Sequence, residues 1–309
     1  MATRFEMVLI GERPDALRAA GEEALDEIER LENALSLYRP QSDIARINAG
    51  AASGPVRIAP ETFRLLEQAR SLSDRTCKAF DVTAGPLIRA WGFHGGSGHL
   101  PEPEVLASAR KASGWSRVVL DPTDGTVRFR DNLPGLLDLG AIGKGYALDR
   151  AAGILRDAGV GSALLHGGTS TVVALGAPPG EEHWTIALAS APSPDHPLAT
   201  SGQAFDPIKP RAVALRNESL SASAVWGRAF RDAEGGMLGH VLDPRTGLPV
   251  TGVTFAAVIL PSATESDSVS TALLVLGRSG IPGLTARFPG LRCWLDPADD
   301  TESSAKSGR

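Results

Sequence analysis

The stretch Leu136-Leu-Asp-Leu-Gly-Ala-Ile-Gly-Lys-Gly-Tyr-Ala-Leu-Asp-Arg150 constrains the fold more than any other. A short apolar run with one acid ends in a glycine-rich turn, where Lys144 sits between Gly143 and Gly145. Apolar residues then recur at Ala147, Ala151, Ile154 and Ala158, flanked by Leu148, Ala152 and Leu155. That spacing predicts a helix, and Gly159 stops it. The unit reads as strand, glycine turn, helix. Free N–H groups at such a helix start, with one lysine, favour phosphate. Neither known phosphate fingerprint fits. A P-loop needs Ser or Thr after the lysine, and Gly145 stands there; a dinucleotide fingerprint needs a third glycine where Leu148 stands. Two readings stay open: contact with phosphate, or a turn that lets the helix pack closely on the strand with Lys144 in solvent.

Around this unit, strands and helices alternate without a fixed repeat. Phe5 to Ile10 reads as a strand, and Pro14 to Tyr38 as a long helix with Leu17, Ala20, Ala24, Ile28, Leu31 and Leu35 on one face. Pro40 breaks that helix, and Ser42 caps a short one carrying Ile44 and Ile47. Glu61 to Ser73 is a further amphipathic helix. Ala79 to Phe93 has no clean period and reads as a structured loop or site wall, and His94 to Pro103 as a flexible loop. Val118 to Leu120 and Thr126 to Phe129 are strands joined by a strong turn, Asp121-Pro-Thr-Asp-Gly125. Strands are expected again at Ser162 to Leu165, Val172 to Leu175, Trp184 to Leu188, Arg211 to Leu215, Ser219 to Ser223 and Val253 to Leu260. Much of Pro178 to Pro210 reads as a surface excursion. Thr264 to Gly277 is the last strong helix. Asp296 to Arg309 is a polar tail expected to be disordered. The reading is one mixed α+β unit over residues 1–295, a sheet core with packed helices and a smaller second lobe.

Composition closes off several classes. A net charge of −5 and 5% aromatic residues argue against a nucleic-acid surface. Two cysteines, Cys77 and Cys293, give no disulfide framework or cysteine metal cluster. No apolar run reaches the roughly 18 residues of a membrane span, and the N-terminus lacks a signal-peptide pattern, so a cytoplasmic location is expected for the chain as it stands.

Two local patterns bear on chemistry. Asp267 and Thr271 are four residues apart on the last helix and share a face; a carboxylate and a hydroxyl are hard ligands suited to Mg²⁺. Thr264-Glu-Ser-Asp267 is equally a capping box, in which Asp267 serves only the helix start. His240, near a turn and three residues before Asp243, is either a general base or a structural histidine. The other histidines, His94, His99, His166, His183 and His196, show no metal spacing. Neither a Gly-x-Ser-x-Gly elbow nor a cysteine nucleophile signature is present.

Taken together, the segments resemble the ApbE family of flavin transferases over nearly the whole chain. Met1-Ala-Thr3 is similar to the family's Met-Gly-Thr opening, and Leu37 to Asn48 to its Tyr-x-Pro-x-Ser segment ending in Ile-Asn. Phe80-Asp-Val-Thr-Ala-Gly-Pro-Leu87 with Trp91-Gly-Phe93, Asp138 to Tyr146, His240 to Gly247 and Glu265 to Ala272 match further family motifs. The resemblance implies a T-fold-like α+β architecture that binds FAD with Mg²⁺ and moves FMN onto a threonine of a target flavoprotein, releasing AMP. It implies Mg²⁺ at Asp267, Thr271 and a backbone carbonyl near Gly143, and His240 as the group that deprotonates the threonine. It places Lys144 near the diphosphate, Tyr38 against the isoalloxazine, and Met1 and Thr3 near the flavin. Ser42, Asp81 and Gly168 are carried over as further cofactor-binding positions.

The chain also departs from the pattern. Thr169 stands where the family's Gly-Gly-Asp has its acid, Ser223-Ala-Val-Trp226 replaces Ser-Gly-Asp-Tyr, Ala2 replaces the opening glycine, and Gly143 replaces the alanine before the lysine. FAD and Mg²⁺ binding are thus better carried than transfer. A flavin carrier or sensor without transfer, and hydrolysis of FAD to FMN and AMP, are the alternatives.

Overall fold

The structure, a computed structural model, describes residues 3–188, 211–225, 227–232 and 235–297. The chain enters with strand β1 (Phe5–Ile10), then helices α1 (Pro14–Leu35) and α2 (Asp43–Gly50). Helix α1 stops three residues short of Tyr38, because Ser36 turns extended ahead of Pro40. Ser42 caps α2 as expected, its Oγ accepting from the Ala45 N–H at 3.0 Å. Strand β2 (Val56–Arg57) and helix α3 (Pro60–Arg75) follow. The aperiodic segment after them is a 3₁₀ turn, Val82–Ala84, and a short helix α4 (Gly85–Ala90). Helix α5 (Pro103–Ala112), which no expectation covered, leads to β3 (Val118–Asp121) and β4 (Thr126–Phe129).

Leu136 to Leu139 corrects the sequence reading, for it is not a strand. It runs extended beside Asn48, which replaces a partner strand. Asn48 Oδ1 accepts from the Leu137 N–H at 2.7 Å, and its Nδ2 donates to the Leu137 carbonyl at 3.0 Å. Helix α6 (Gly143–Asp157) then starts as expected, and Gly159 takes φ +79 just past its end.

The remaining elements are β5 (Ser162–Gly167), β6 (Thr171–Leu175), β7 (Trp184–Leu188), β8 (Arg211–Leu215), β9 (Glu218–Ala224), β10 (Ala229–Arg231), β11 (Met237–Gly239), β12 (Leu242–Asp243), β13 (Leu248–Pro249) and β14 (Val253–Leu260). Helices α7 (Ala263–Leu276) and α8 (Ile281–Arg287) and strand β15 (Arg292–Pro297) complete the chain. The expected tail boundary falls inside β15; residues 298–309 and most of the Pro178 to Pro210 excursion lie outside the described residues.

Six strands form one antiparallel sheet in the order β1-β5-β6-β9-β14-β15. Alternation along the strands gives it two covered faces. Ala163, Leu165, Val173, Ala256 and Val258 meet α1, α6 and α7 in the main core. Leu164, Val172, Leu220, Phe255 and Ile259 pack under the β7–β8 hairpin. A third cluster, with Leu87, Trp91, Phe93 and Leu242, is the small second lobe and carries the short β10–β11 and β12–β13 hairpins. Among the described residues no helix is long and apolar enough to cross a membrane.

Candidate active site

Strand β9 builds the first wall. Its period of two points Leu220 into the apolar layer under β7–β8 and turns Ser219, Ser221 and Ser223 toward α7. These serines meet a matching polar stripe. Ser219 pairs with Ser266 at 2.9 Å, Ser221 donates to Asp267 Oδ1 at 3.3 Å, and Ser223 lies 2.8 Å from Ser270 and 3.2 Å from Thr271 Oγ1.

The capping reading of Asp267 is overturned. Helix α7 is capped by Ser262, whose Oγ accepts from the Glu265 N–H, and by Asp149 of α6, which accepts from the Ala263 and Thr264 N–H groups. Asp267 instead sits one turn inside the helix, 3% exposed, and faces α6. Its Oδ2 accepts from the Gly145 N–H at 3.0 Å, and the Lys144 ammonium lies 3.3 and 3.4 Å from its two oxygens. A buried carboxylate needs such compensation.

The glycine turn now has a physical reason. A Cβ on Gly145 would collide with the Ala263 carbonyl and approach the Asp267 Cβ to 2.8 Å. Only glycine lets α6 come this close to α7. The packing reading of the turn therefore holds in part: glycine serves close packing, against a helix rather than a strand, and Lys144 is paired rather than free in solvent.

The donor set is poor in strong ligands. Among the described residues no group of three or more His, Cys, Asp or Glu could hold a metal ion. Asp267 is a lone carboxylate with neutral hydroxyls around it, Thr271 included. Mg²⁺ is ordinarily held by one or two carboxylates plus substrate phosphates. The residues fit that ion in company with a phosphate ligand, and the Lys144 ammonium stands where a cation would.

His240 belongs to the second wall, in the small lobe. Its ring meets the edge of Phe93 at 6.3 Å between centroids and 71°. Gly227 lies against it, where a Cβ would approach Cε1 to 2.9 Å. Nδ1 lies 3.2 Å from both the amide nitrogen and the carbonyl oxygen of Arg228; in the tautomer that donates to that carbonyl, Nε2 keeps its lone pair. Burial pushes the imidazole below its usual pKa, against the weaker opposite pull of the Arg228 backbone. The ring is held neutral, as a base must be.

A cleft of about 380 Å³ is lined by residues that include Tyr38, Asn48, Arg89, His94 and Leu136. Tyr38 stands 70% exposed on its rim. A pair that sequence reasoning missed faces this cleft: His94 Nε2 lies 2.9 Å from Asp138 Oδ2. Burial alone would raise the Asp138 pKa; hydrogen bonds from His94 and the Gly140 N–H outweigh it and hold the carboxyl below the usual range. Gly140 in turn accepts from Lys144 through its carbonyl at 3.3 Å, so hydrogen bonds and ion pairs run from His94 to Asp267.

The other expected positions divide. Thr3 and Gly168 come together, since the φ of +67 at Gly168 leaves its open side against Thr3 Oγ1. Gly143 opens α6 and donates its N–H to the Leu139 carbonyl; the amide set against Asp267 is that of Gly145. Ser42 is turned inward as the α2 cap and also donates to the Ser36 carbonyl. Asp81 accepts from the N–H and hydroxyl of Thr83, and burial raises its pKa. Met1 and Trp226 lie outside the described residues. The alternating serines of β9 were a legible signal; Asp149 and His94 were not, because their partners are 113 and 44 residues away.

The sequence motifs thus converge. Gly85 approaches the Leu136 carbonyl, Val82 accepts from the Asp138 N–H at 2.8 Å, and the Trp91 indole donates to the Gly247 carbonyl at 2.8 Å. Comparison with known proteins agrees. The chain is 27% identical over 284 residues to an FAD:protein FMN transferase of Klebsiella pneumoniae (strain 342), covering 90% of this chain and 77% of that one. It is 31% identical over 254 residues to another from the same organism, covering 81% and 73%. The crystal structure of apo Pseudomonas stutzeri flavinyl transferase ApbE superposes with a TM-score of 0.79 at 26% identity, over 96% of this chain and 88% of that one. The model of the ApbE family matches residues 1–295, which takes in all of the converging motifs, and the chain belongs to that family.

Proposed function

We propose that this protein transfers FMN from FAD to a threonine of a target flavoprotein and releases AMP, with Mg²⁺ held by Asp267, Thr271 and a carbonyl of the Gly143 turn. The observation that carries the reading is the release of Asp267 from capping duty and its burial against Gly145 and Lys144. The names of the relatives supply the substrate class.

Bound Mg²⁺ would neutralise charge on the diphosphate, where phosphoryl transfer most needs it. The chain's own residues do the rest. His240, neutral through burial, accepts the proton of the incoming threonine hydroxyl at Nε2. The hydroxyl oxygen bonds to the FMN phosphorus, the bond from that phosphorus to the bridging oxygen breaks, and AMP leaves with the electron pair. Lys144 stays close enough to Asp267 to pass from the carboxylate to the phosphate oxygens. Tyr38 on the cleft rim offers a ring face to the isoalloxazine, with Thr3 and Gly168 as further flavin contacts.

The test is an incubation with FAD, Mg²⁺ and a threonine-bearing flavoprotein fragment, read as flavin fluorescence of the target on a denaturing gel. Labelled target supports transfer. Free FMN and AMP without label would replace transfer by hydrolysis, and bound, uncleaved FAD would make the protein a carrier.

A further inference from the structure

Asp149 makes four hydrogen bonds to the first turn of α7. Its Oδ2 accepts from Ser262 Oγ at 2.7 Å, from the Thr264 N–H at 2.8 Å and from Thr264 Oγ1 at 2.7 Å, and its Oδ1 from the Ala263 N–H at 2.8 Å. Local capping alone does not ask for this, since Ser262 already caps α7 from within. The placement is more specific. Asp149 lies one turn after Gly145 on α6, on the same face. Its partners Ala263 and Thr264 lie one turn before Asp267 on α7. The two helices are therefore pinned twice, one turn apart on each: Asp149 to Ala263 and Thr264, and the Gly145 N–H to Asp267. The serines of β9 already tie α7 to the sheet, and the two pins add its register against α6. Two pins fix both its axial register and its facing, and hence where the Asp267 carboxylate points.

We propose that Asp149 is a positioning residue for Mg²⁺ binding, acting through α7 to hold Asp267 in its ligating place; the proposal rests on the metal reading above. Such outer partners of a ligand ordinarily change metal affinity by about 10–100-fold.

The molecule carries its own control. Asp43 of α2 clamps the start of α3 in the same way, its Oδ2 accepting from the Ala59 N–H at 3.1 Å and from Thr62 Oγ1 at 2.7 Å. Helix α3 carries no proposed ligand. A role in stability alone predicts the same behaviour for Asp149→Asn and Asp43→Asn; positioning predicts a difference.

The experiment titrates Mg²⁺ into the FAD-bound protein by calorimetry, with melting curves taken without metal and the Mg²⁺ dependence of turnover alongside. Asp149→Asn is expected to weaken Mg²⁺ about 10-fold or more. It should raise the Mg²⁺ concentration for half-maximal turnover while turnover at saturating Mg²⁺ stays within about threefold. Asp43→Asn is expected to lower the melting point with Mg²⁺ affinity unchanged. Equal Mg²⁺ affinity in Asp149→Asn and the wild type, or equal weakening in both variants, overturns the positioning role. Should Asp149→Asn fail to fold, Thr264→Val, which removes one of the four bonds at nearly constant shape, is expected to weaken Mg²⁺ roughly two- to threefold, and unchanged affinity there overturns the role. No Mg²⁺ binding by the FAD-bound wild type would overturn the metal reading and the positioning role with it.

Discussion

The two walls of the site solve opposite electrostatic problems with different parts of the fold. Asp267 is buried. It sits inside a 14-residue helix of the main core, and its carboxylate draws partners from α6 and β9: an ammonium, an amide and a serine hydroxyl. His240 must stay neutral. It sits between two short strands of the small lobe, where among the described residues the edge of Phe93, Gly227 and the Arg228 backbone lie against the ring. Desolvation, which the first wall must offset, is what the second wall uses. Strand β9 joins them: Ser223 touches Thr271, and four residues later Gly227 touches His240.

The largest break is at the charged wall. Asp267→Ala deletes the carboxylate paired with Lys144, which keeps its bond to the Gly140 carbonyl. Mg²⁺-dependent transfer is expected to fall on the order of 10³-fold, since a metal supplies several kcal/mol of transition-state stabilisation. Wild-type turnover in that variant would refute the metal assignment.

The neutral wall should break by a comparable factor but differently. His240→Gln keeps a polar group but removes the proposed base, and kcat is expected to drop about 10²–10⁴-fold with little change in FAD affinity. The wild-type pH profile sharpens this. Burial lowers the His240 pKa below 6.5, so the acid limb of kcat/KM belongs below that pH. The sign for stability follows from linkage. Below pH 6.5 the unfolded chain binds a proton that the folded one resists, so stability falls as pH drops from there toward the folded value. An acid limb above pH 6.5 would sink the assignment of His240 as the neutral base.

Glycine substitutions separate the walls. Gly145→Ala drives a methyl into the Ala263 carbonyl and Asp267, which forces α6 and α7 apart. A cost of about 1–3 kcal/mol is expected, read as a lower melting point together with weaker Mg²⁺ binding. Gly227→Ala presses on His240 and should lower kcat while leaving Mg²⁺ affinity intact.

What was legible in the chain follows the range of the interactions. Helices α1, α2, α6 and α7 and strands β1, β7, β8 and β14 were read within a few residues, because period and caps are local properties. The Leu136 to Leu139 run was misread as a strand because an apolar run does not reveal whether another strand or a side-chain amide will satisfy its backbone. Helix α5 begins where the His94 to Pro103 loop reading ends, in a stretch to which the sequence reading assigns no element. Asp267 could not be separated from a capping box, for the deciding facts are Ser262 just before the box and Asp149 more than a hundred residues away. The geometry shows that Ser262 and Asp149, not Asp267, serve the start of α7.

The smallest break concerns a residue of neither wall. Asn48 holds the strip between Gly85 and α6 through paired hydrogen bonds to Leu137, in the manner of a neighbouring strand. Asn48→Ala leaves that amide and carbonyl without their partner, at a cost of about 1–2 kcal/mol. If the strip only fills space, melting drops and nothing else changes. If it carries both walls, it sets the Asp138–His94 pair and the Lys144 turn together, through Asp138, Gly140 and Lys144. Asn48→Ala should then weaken Mg²⁺ and FAD binding in parallel, by a few-fold each, whereas Gly145→Ala weakens Mg²⁺ first. Titration of both ligands against both variants tells the two cases apart, and a loss confined to Mg²⁺ in Asn48→Ala would mean that the strip serves the charged wall alone.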